Sequence, residues 1–190
     1  MMTYAKARAL IRRLKEADIV LVSEKGLKHA INRILQRSRW HHVMIYIGKG
    51  HTMEVTPRNG SHMCDLFHDL TEKQYLAIKV LRDKSLTLLQ RKGIARTAVR
   101  CFNGRKFSWM QYARIVVGRT LSWKRNPTES RTQGQARRYR AGSVACSNMV
   151  AMAYYEAGHS IIAEHMPEFV VPKDYEEAKG LKTIMSKKLM

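Results

Sequence analysis

Apolar residues recur at intervals of three and four along several stretches of the chain, which is the spacing of a helix with one buried face. Glycines follow two of these stretches, at Gly104 and Gly158, where they favour the end of a helix. The N-terminal stretch carries Lys and Arg at its remaining positions, so an amphipathic helix is expected there. The predicted helices cover 3–16, 27 to about 37, 85–103 and 146–157, with a shorter helical piece near 109–117.

Short runs rich in β-branched residues lie between these helices and predict strands. Two of the runs flank Gly48-Lys49-Gly50, so they are expected to form a β-hairpin. The segment 61–70 is predicted to be a loop or a short strand. The strands at 18–23, 42–47, 51–56 and 75–81 predict an α+β fold with a largely antiparallel sheet.

The register of the hairpin decides which side chains share a face of the sheet. With a three-residue turn, Ile47 faces His51 and the numbers of paired residues sum to 98. His42 and Glu54 are then diagonal neighbours on one face, about 7–8 Å apart at the backbone. A two-residue turn shifts the register by one and sends Glu54 to the opposite face. The sequence therefore predicts a His42–Glu54 contact that depends on the turn.

Length and composition indicate one globular domain over residues 1–190. The chain has a mass of 22.0 kDa, with 45% apolar and 26% charged residues, which suits a single packed core. No apolar run reaches the roughly 20 residues that a transmembrane segment needs, and no signal peptide is evident. Three cysteines at wide spacings do not predict a disulfide framework. A reducing, cytoplasmic location is the expectation.

The chain is strongly basic, and the excess is concentrated. The formal net charge is +20, and residues 91–140 hold 14 Lys and Arg against one acidic residue, Glu129. Residues 122–140 are predicted to form a long basic loop, and the C-terminal tail is also basic. Such a field attracts an anionic partner, whether nucleic acid, anionic lipid or an acidic polymer. The predicted anion-binding residues are Arg137, Arg138 and Arg140.

Cys146 is the residue that points most directly to chemistry. It lies in the first turn of a predicted helix, where free backbone N–H groups and the helix dipole stabilise a thiolate. A small buried apolar residue is the alternative, since most free cysteines have that role. A thiol nucleophile needs an imidazole base and a group that orients the ring. His42 and Glu54 are the candidates, while His41 is expected to point away from them.

Five motifs follow one another in the order of a known family. The chain resembles the permuted papain-like branch of the NlpC-type cysteine peptidase superfamily, the YiiX/YaeF-like group, in which the histidine strand precedes the cysteine helix. This resemblance implies an antiparallel sheet packed against a cysteine-bearing helix. The motifs are ADIVLVS at 17–23, HVMIYIG at 42–48, the MEVT strand, GRKFSW at 104–109 and ACSNMVAMAYYEAG at 145–158, with VPKDYEEA at 171–178 resembling the closing segment.

Carried over residue by residue, the resemblance implies a cysteine-dependent hydrolase. Cys146 is the implied nucleophile, His42 the general base and acid, and Glu54 the group that orients the imidazole. Cys146 and Ser147 are implied to form the oxyanion or substrate-binding site, including the Cys146 backbone N–H. The implied reaction is cleavage of an amide bond through an acyl-thioester, with peptides of the cell-wall type as the expected substrate.

Two other functions remain open at this point. One is a lipid acyl hydrolase or acyltransferase at an anionic membrane, ranked lower because Ala145-Cys146-Ser147-Asn148 does not match the Asn-Cys-Glu-His signature of the lecithin:retinol acyltransferase group. The other is a catalytically silent papain-like protein that binds nucleic acid through its basic face.

No metal or cofactor is expected. His62, Cys64 and His68 carry the side chains of zinc ligands, but three donors in one short stretch, without a second group of ligands elsewhere in the sequence, are more often incidental. The aromatic residues Trp109 and Tyr112 fall on helical spacing and are expected to pack in the core, whereas Trp123 is predicted to lie in the loop.

Overall fold

The protein is described by a computed structural model over residues 2–35, 38–113, 117, 143–162, 167 and 170–189. The predicted basic loop at 122–140, including Trp123, Arg137, Arg138 and Arg140, lies outside the described residues.

A six-stranded antiparallel sheet organises the fold, as the alternating runs predict. Its strand order is β4-β3-β2-β1-β5-β8, so the first strand in sequence is central. A short parallel pair, β6 and β7, forms a second sheet beside β4. The strands are β1 (Ile19–Glu24), β2 (His42–Gly48), β3 (His51–Thr56), β4 (Gly60–Asp65), β5 (Tyr75–Asp83), β6 (Lys106–Phe107), β7 (Ser143–Val144) and β8 (Leu181–Lys188).

Helices flank the sheet, which gives the mixed α+β class. The alternation along β1 is clear: Ile19 and Leu21 face one apolar cluster, while Val20 and Val22 face the other. The first cluster includes residues of α4 and α5, and the second includes residues of α1 and α3. The helices are α1 (Tyr4–Ile11), α2 (Leu27–Leu35), α3 (Leu66–Glu72), α4 (Leu88–Phe102), α5 (Cys146–Glu156) and α6 (Pro172–Glu177).

The β2–β3 hairpin has the predicted register but a different turn. Tyr46 pairs with Thr52, and Ile45 with Met53, which gives the predicted sum of 98. Gly48, not Ile47, pairs with His51, and the register shifts between Tyr46 and Gly48. A two-residue turn is therefore combined with a bulge at Ile47, and the extra residue restores the register that an odd loop would give. His42 and Glu54 consequently share a face.

Two elements beside the sheet, α3 and β8, differ from the sequence prediction. Residues 61–70, predicted as a loop or short strand, form most of the short strand β4 and most of α3, which begins after Asp65. The Asp65 carboxylate caps α3 by accepting from the Phe67 and His68 amides at 2.8 and 3.2 Å. The basic C-terminal tail forms the edge strand β8, paired with β5.

None of the helices formed by the described residues is both long and apolar enough to cross a lipid bilayer.

Candidate active site

Cys146 occupies the first position of α5, as the sequence predicts. The turn before it is closed by Asn148, whose side-chain oxygen accepts from the Ala145 amide at 2.7 Å. Two buried tyrosines attach the helix to the rest of the fold: the Tyr154 hydroxyl donates to the Ala17 carbonyl, and the Tyr175 hydroxyl donates to the Ser147 carbonyl. The helix is thus attached at its first turn through Ser147 and near its end through Tyr154.

His42 is the first residue of β2, and the segment before it is fixed by a buried indole. Trp40 is fully buried, and its Nε1–H donates to the Glu176 carboxylate on α6 at 2.8 Å. The pairing of β2 with β1 sets His42 opposite Val22. These contacts fix the backbone position of His42 at the start of β2.

The side chains of His42 and Glu54 form the contact that the hairpin register predicts. His42 Nε2 lies 2.8 Å from Glu54 Oε2, with the two side chains 14% and 2% exposed. Because Nε2 is engaged by Glu54, Nδ1 is the ring nitrogen left for the Cys146 thiol, with which His42 also has a hydrogen-bonding interaction. His42 therefore connects a buried carboxylate to a thiol.

The electrostatics of this trio favour a charged pair. Burial lowers the pKa of His42, but the interactions with Cys146 and Glu54 outweigh it and raise the pKa above its ordinary value. Burial raises the pKa of Cys146, whereas His42 and the backbone amides of Val43 and Ser147 lower it, with a net decrease. The arrangement stabilises a thiolate beside an imidazolium.

Glu54 has further partners that the sequence did not predict. Its second oxygen, Oε1, lies 3.2 Å from His62 Nε2 and 3.9 Å from Lys73 Nζ. Burial raises the pKa of Glu54, but its hydrogen bonds with His42 and His62 hold the pKa well below its usual range. His62 lies opposite Glu54 in the β3–β4 register. That register was the missing signal, because residues 61–70 were not assigned as a paired strand.

His41 is directed to Glu24 and not to Glu54, although it lines the same cleft as His42 and Cys146. It is 6% exposed, and its Nδ1 accepts from the Glu24 backbone amide at 3.2 Å. Burial outweighs the nearby Glu24 carboxylate and lowers the pKa of His41 to about 4. This ring is neutral near pH 7 and is committed to the packing of β1 against the start of β2.

The thiol, His42 and Glu54 all line a cleft of about 540 Å³. Phe107, Trp109 and Tyr112 form an aromatic part of its wall, with Phe107 and Trp109 packed edge to face at 4.9 Å between ring centroids. The prediction that Trp109 packs in the core is wrong, because the residue is 64% exposed. Its helical spacing reflects residues 109–113, which are helical at the rim of the cleft.

Ser147, predicted with Cys146 as an oxyanion or substrate-binding residue, lies just beneath the thiol. Ser147 is 4% exposed, and its backbone N–H is directed to the Cys146 sulfur. The contribution of Ser147 seen in the structure is therefore from its backbone, and it acts on the thiol.

Two groups of side chains in the described part of the chain have donor atoms within 4.8 Å of one another, as a metal ion would require: Glu24, His29 and His41, and Glu54, His62 and Cys64. The first group fits a metal poorly. His41 Nδ1 already uses its lone pair to accept the Glu24 amide, so a neutral ring carries its proton on Nε2 and has no lone pair there. The second group has no such conflict.

Comparison with known proteins gives a fold-level similarity. No protein-family model matches the chain, and no curated protein matches its sequence. The fold is similar to that of yiiX. The crystal structure of this metalloprotein from Escherichia coli O157:H7, DUF1105, has a TM-score of 0.63 and 14% identity, over 92% of this chain and 98% of that chain. The YiiX part of the sequence resemblance thus has a structural counterpart, and at this identity the likeness concerns the fold alone.

Proposed function

We propose that the protein is a cysteine-dependent hydrolase that cleaves an amide bond with Cys146, His42 and Glu54. The observation that carries the proposal is the position of the His42 ring, held by Glu54 at 2.8 Å through Nε2 and interacting with the Cys146 thiol. A nucleophile, a base and an orienting carboxylate are the three parts that thiol catalysis requires.

The proposed reaction has two halves. The Cys146 thiolate attacks the carbonyl carbon, and His42 donates its proton to the leaving amine, which departs to give an acyl-thioester. His42 then takes a proton from water, which attacks the thioester and releases the acid, and this restores the Cys146 thiolate beside the His42 imidazolium. Glu54 stabilises the imidazolium and keeps the ring in the orientation in which Nδ1 faces sulfur. The Cys146 backbone N–H is the proposed donor to the oxyanion.

The finer assignment rests on the sequence resemblance. On that basis we propose a permuted papain-like fold of the NlpC type, with peptides of the cell-wall type as substrates. The aromatic wall of Phe107, Trp109 and Tyr112 suits a substrate that presents a flat or apolar group beside the scissile bond. Amide hydrolysis and lipid acyl transfer share the acyl-thioester, so the identity of the products separates them.

The test uses 4-nitrophenyl acetate as an activated acyl donor. We expect release of nitrophenolate together with an acetyl group on Cys146, located by peptide mass spectrometry, and the loss of both in Cys146→Ala. Cys101→Ser is the matched control and should behave as the parent protein. Acetylation spread evenly over the three cysteines would contradict the proposal. Product analysis with peptide amides and acyl-ester lipids then assigns the substrate class.

A further inference from the structure

We propose that Glu54, His62 and Cys64 form a binding site for a divalent metal of the zinc type, on the β3–β4 side of the candidate active site. The ligand atoms are Glu54 Oε1, His62 Nε2 and Cys64 Sγ. This proposal does not rest on the hydrolase activity, because its test measures metal binding, but the two sites share Glu54, whose Oε2 contacts His42 and whose Oε1 faces His62.

The sheet register brings these three side chains together. His62 and Cys64 are two residues apart on β4, so their side chains point to the same face. Glu54 lies directly opposite His62 on β3. The three donor atoms lie within 4.8 Å of one another, and zinc bonds of about 2.0–2.3 Å place tetrahedral ligands roughly 3–4 Å apart. Small side-chain rotations on two rigid strands are therefore sufficient to close the site.

The donor set and its surroundings suit zinc. Imidazole nitrogen, thiolate sulfur and carboxylate oxygen are the three protein ligands that zinc takes. His62 Nδ1 lies 3.1 Å from the Gly60 carbonyl, to which it can donate, and Nε2 then donates to Glu54 without a metal and would give up that proton to bind one. A ligand histidine is commonly fixed in this way by a carbonyl behind it.

Two charged groups border the site and bear on its affinity. The Lys73 ammonium lies 3.9 Å from Glu54 Oε1 and 2.6 Å from the Asp69 carboxylate. With 36% of its side chain exposed, Lys73 has room to move away while it keeps Asp69. The Cys64 thiol interacts with the Asp69 carboxylate. Because zinc binds the thiolate, metal binding would release the thiol proton to the buffer.

The test measures binding of Zn²⁺ by calorimetry in a Cys146→Ala background, so that the candidate nucleophile contributes no ligand. We expect one equivalent bound, with Cys64→Ser and His62→Ala each weakening the affinity at least about tenfold. Cys101→Ser and His68→Ala are the matched controls and should bind as the parent does. His29→Ala should also bind normally, because it belongs to the other donor group.

Spectroscopy with Co²⁺ provides a readout that does not depend on how well a variant folds. We expect the parent protein, again with Cys146→Ala, to show an intense near-ultraviolet band from thiolate-to-cobalt charge transfer that Cys101→Ser retains. Absence of that band, absence of Zn²⁺ binding, or binding that Cys64→Ser leaves unchanged would overturn the proposal. Loss of binding in His29→Ala alone would also overturn it and assign the metal to the other group.

Discussion

At the scale of single residues, a carboxylate such as Glu54 can act on an imidazole in two ways, by orienting the ring and by its negative charge. A substitution at Glu54 can separate these two effects. Glu54→Gln keeps the size of the side chain and some of its hydrogen bonding, but removes the charge that stabilises the imidazolium. We expect turnover of 4-nitrophenyl acetate to fall about a hundredfold, with little change in substrate binding. Steady-state kinetics measure the split between kcat and KM.

Thr56→Ala is the control for Glu54→Gln, since Thr56 also lines the cleft but carries no charge. Its effect on turnover should be much smaller. The Glu54→Gln loss should also be strongly non-additive with His42→Ala, because a residue that acts through the ring has nothing to orient once the ring is gone. Losses that simply add would remove Glu54 from the site.

His41 makes a prediction about stability and pH. Its pKa is lowered to about 4 in the folded protein, below the ordinary 6.5 of an unfolded chain. The unfolded state therefore binds an extra proton between these values, so stability falls as pH drops through this window. The contribution lost between pH 7 and pH 4 is about 3 kcal/mol. Urea unfolding at a series of pH values measures it.

His41→Asn is the matched variant, because its side-chain oxygen keeps an acceptor for the Glu24 amide and does not titrate. The fall in stability between pH 6.5 and pH 4 should become shallower in this variant. His42, whose pKa is raised, is protonated in both states well below its ordinary pKa of about 6.5 and adds little slope in the acidic part of this range. An unchanged pH profile in His41→Asn would show that another group causes the destabilisation.

At the scale of elements, Gly60 is the first residue of β4, pairs with the end of β3 and lies against the segment before β6. Its φ is +66°, and a Cβ there would meet the Arg105 carbonyl. Arg105 O accepts from the Ser61 amide at 2.7 Å, so the backbone has little freedom to retreat. Gly60→Ala should reduce the free energy of unfolding through both strain and collision.

Gly50→Ala is the control for Gly60→Ala. Gly50 also has a positive φ, +83°, but no atom lies within 4 Å of its Cβ position. Gly50→Ala should lower the free energy of unfolding by about 1 kcal/mol, and Gly60→Ala should lower it by at least about 1 kcal/mol more. Denaturant midpoints at equal m-values measure the difference. Equal losses at both glycines would mean that the Arg105 contact has no energetic weight.

Elements with a long, regular pattern were predictable, and those set by capping or by strand pairing were not. The helix that begins at Cys146 and the hairpin that holds His42 follow from local periodicity. The bulge at Ile47 was not visible, because an odd loop and a bulged two-residue turn give the same register. α3 spans only seven residues, too short to show a period, and its signal is the Asp65 cap.

The C-terminal strand and the second partner of Glu54 required tertiary pairing. β8 was predicted only as a basic tail, because an edge strand rich in lysine resembles a solvated segment. His62 was considered only as an apparent zinc donor, and its contact with Glu54 depends on the pairing of β4 with β3. Because residues 61–70 were predicted only as a loop or short strand, no register was available to place their side chains.

At the scale of the whole molecule, not all of the basic charge lies on the surface. Arg91, one of the basic residues in 91–140, is 5% exposed and lies 3.7 Å from the Asp18 carboxylate. Asp18 also binds Arg82 at 2.6 Å. These internal ion pairs attach α4 and β5 to the start of β1. Arg91 is therefore not a candidate for binding a polyanion, and Arg137, Arg138 and Arg140 remain the proposed anion-binding residues.

Reversal of those three arginines to Glu tests the polyanion proposal. With a single-stranded oligonucleotide as the probe, we expect the parent affinity to fall steeply with salt, and the triple variant to bind more weakly with a reduced salt slope. Fluorescence anisotropy at several salt concentrations measures both quantities. Thermal stability should stay unchanged.

A triple reversal at the exposed and scattered Lys25, Lys84 and Lys179 changes the net charge equally and is the control. It should weaken binding less than the arginine variant. Equal weakening would show that only net charge matters, and affinity that does not depend on salt would contradict an electrostatic partner. Parallel titration with vesicles containing anionic lipid distinguishes a membrane surface from nucleic acid.

The central claim, that His42 activates Cys146, is tested most directly by the rates at which the three cysteines react with iodoacetamide between pH 5 and pH 9. Peptide mass spectrometry follows each thiol separately. Because the pKa of Cys146 is lowered, and burial raises the pKa of Cys64 to about 12, Cys146 should react much faster than Cys64 near neutral pH. Cys101, which does not contact His42, should also react more slowly.

His42→Ala should slow the reaction of Cys146 at least about tenfold near pH 7, whereas His41→Ala should leave its rate unchanged. That pattern would establish a thiolate maintained by His42. Equal reactivity of all three cysteines, or a rate at Cys146 that depends on His41 and not on His42, would contradict the account.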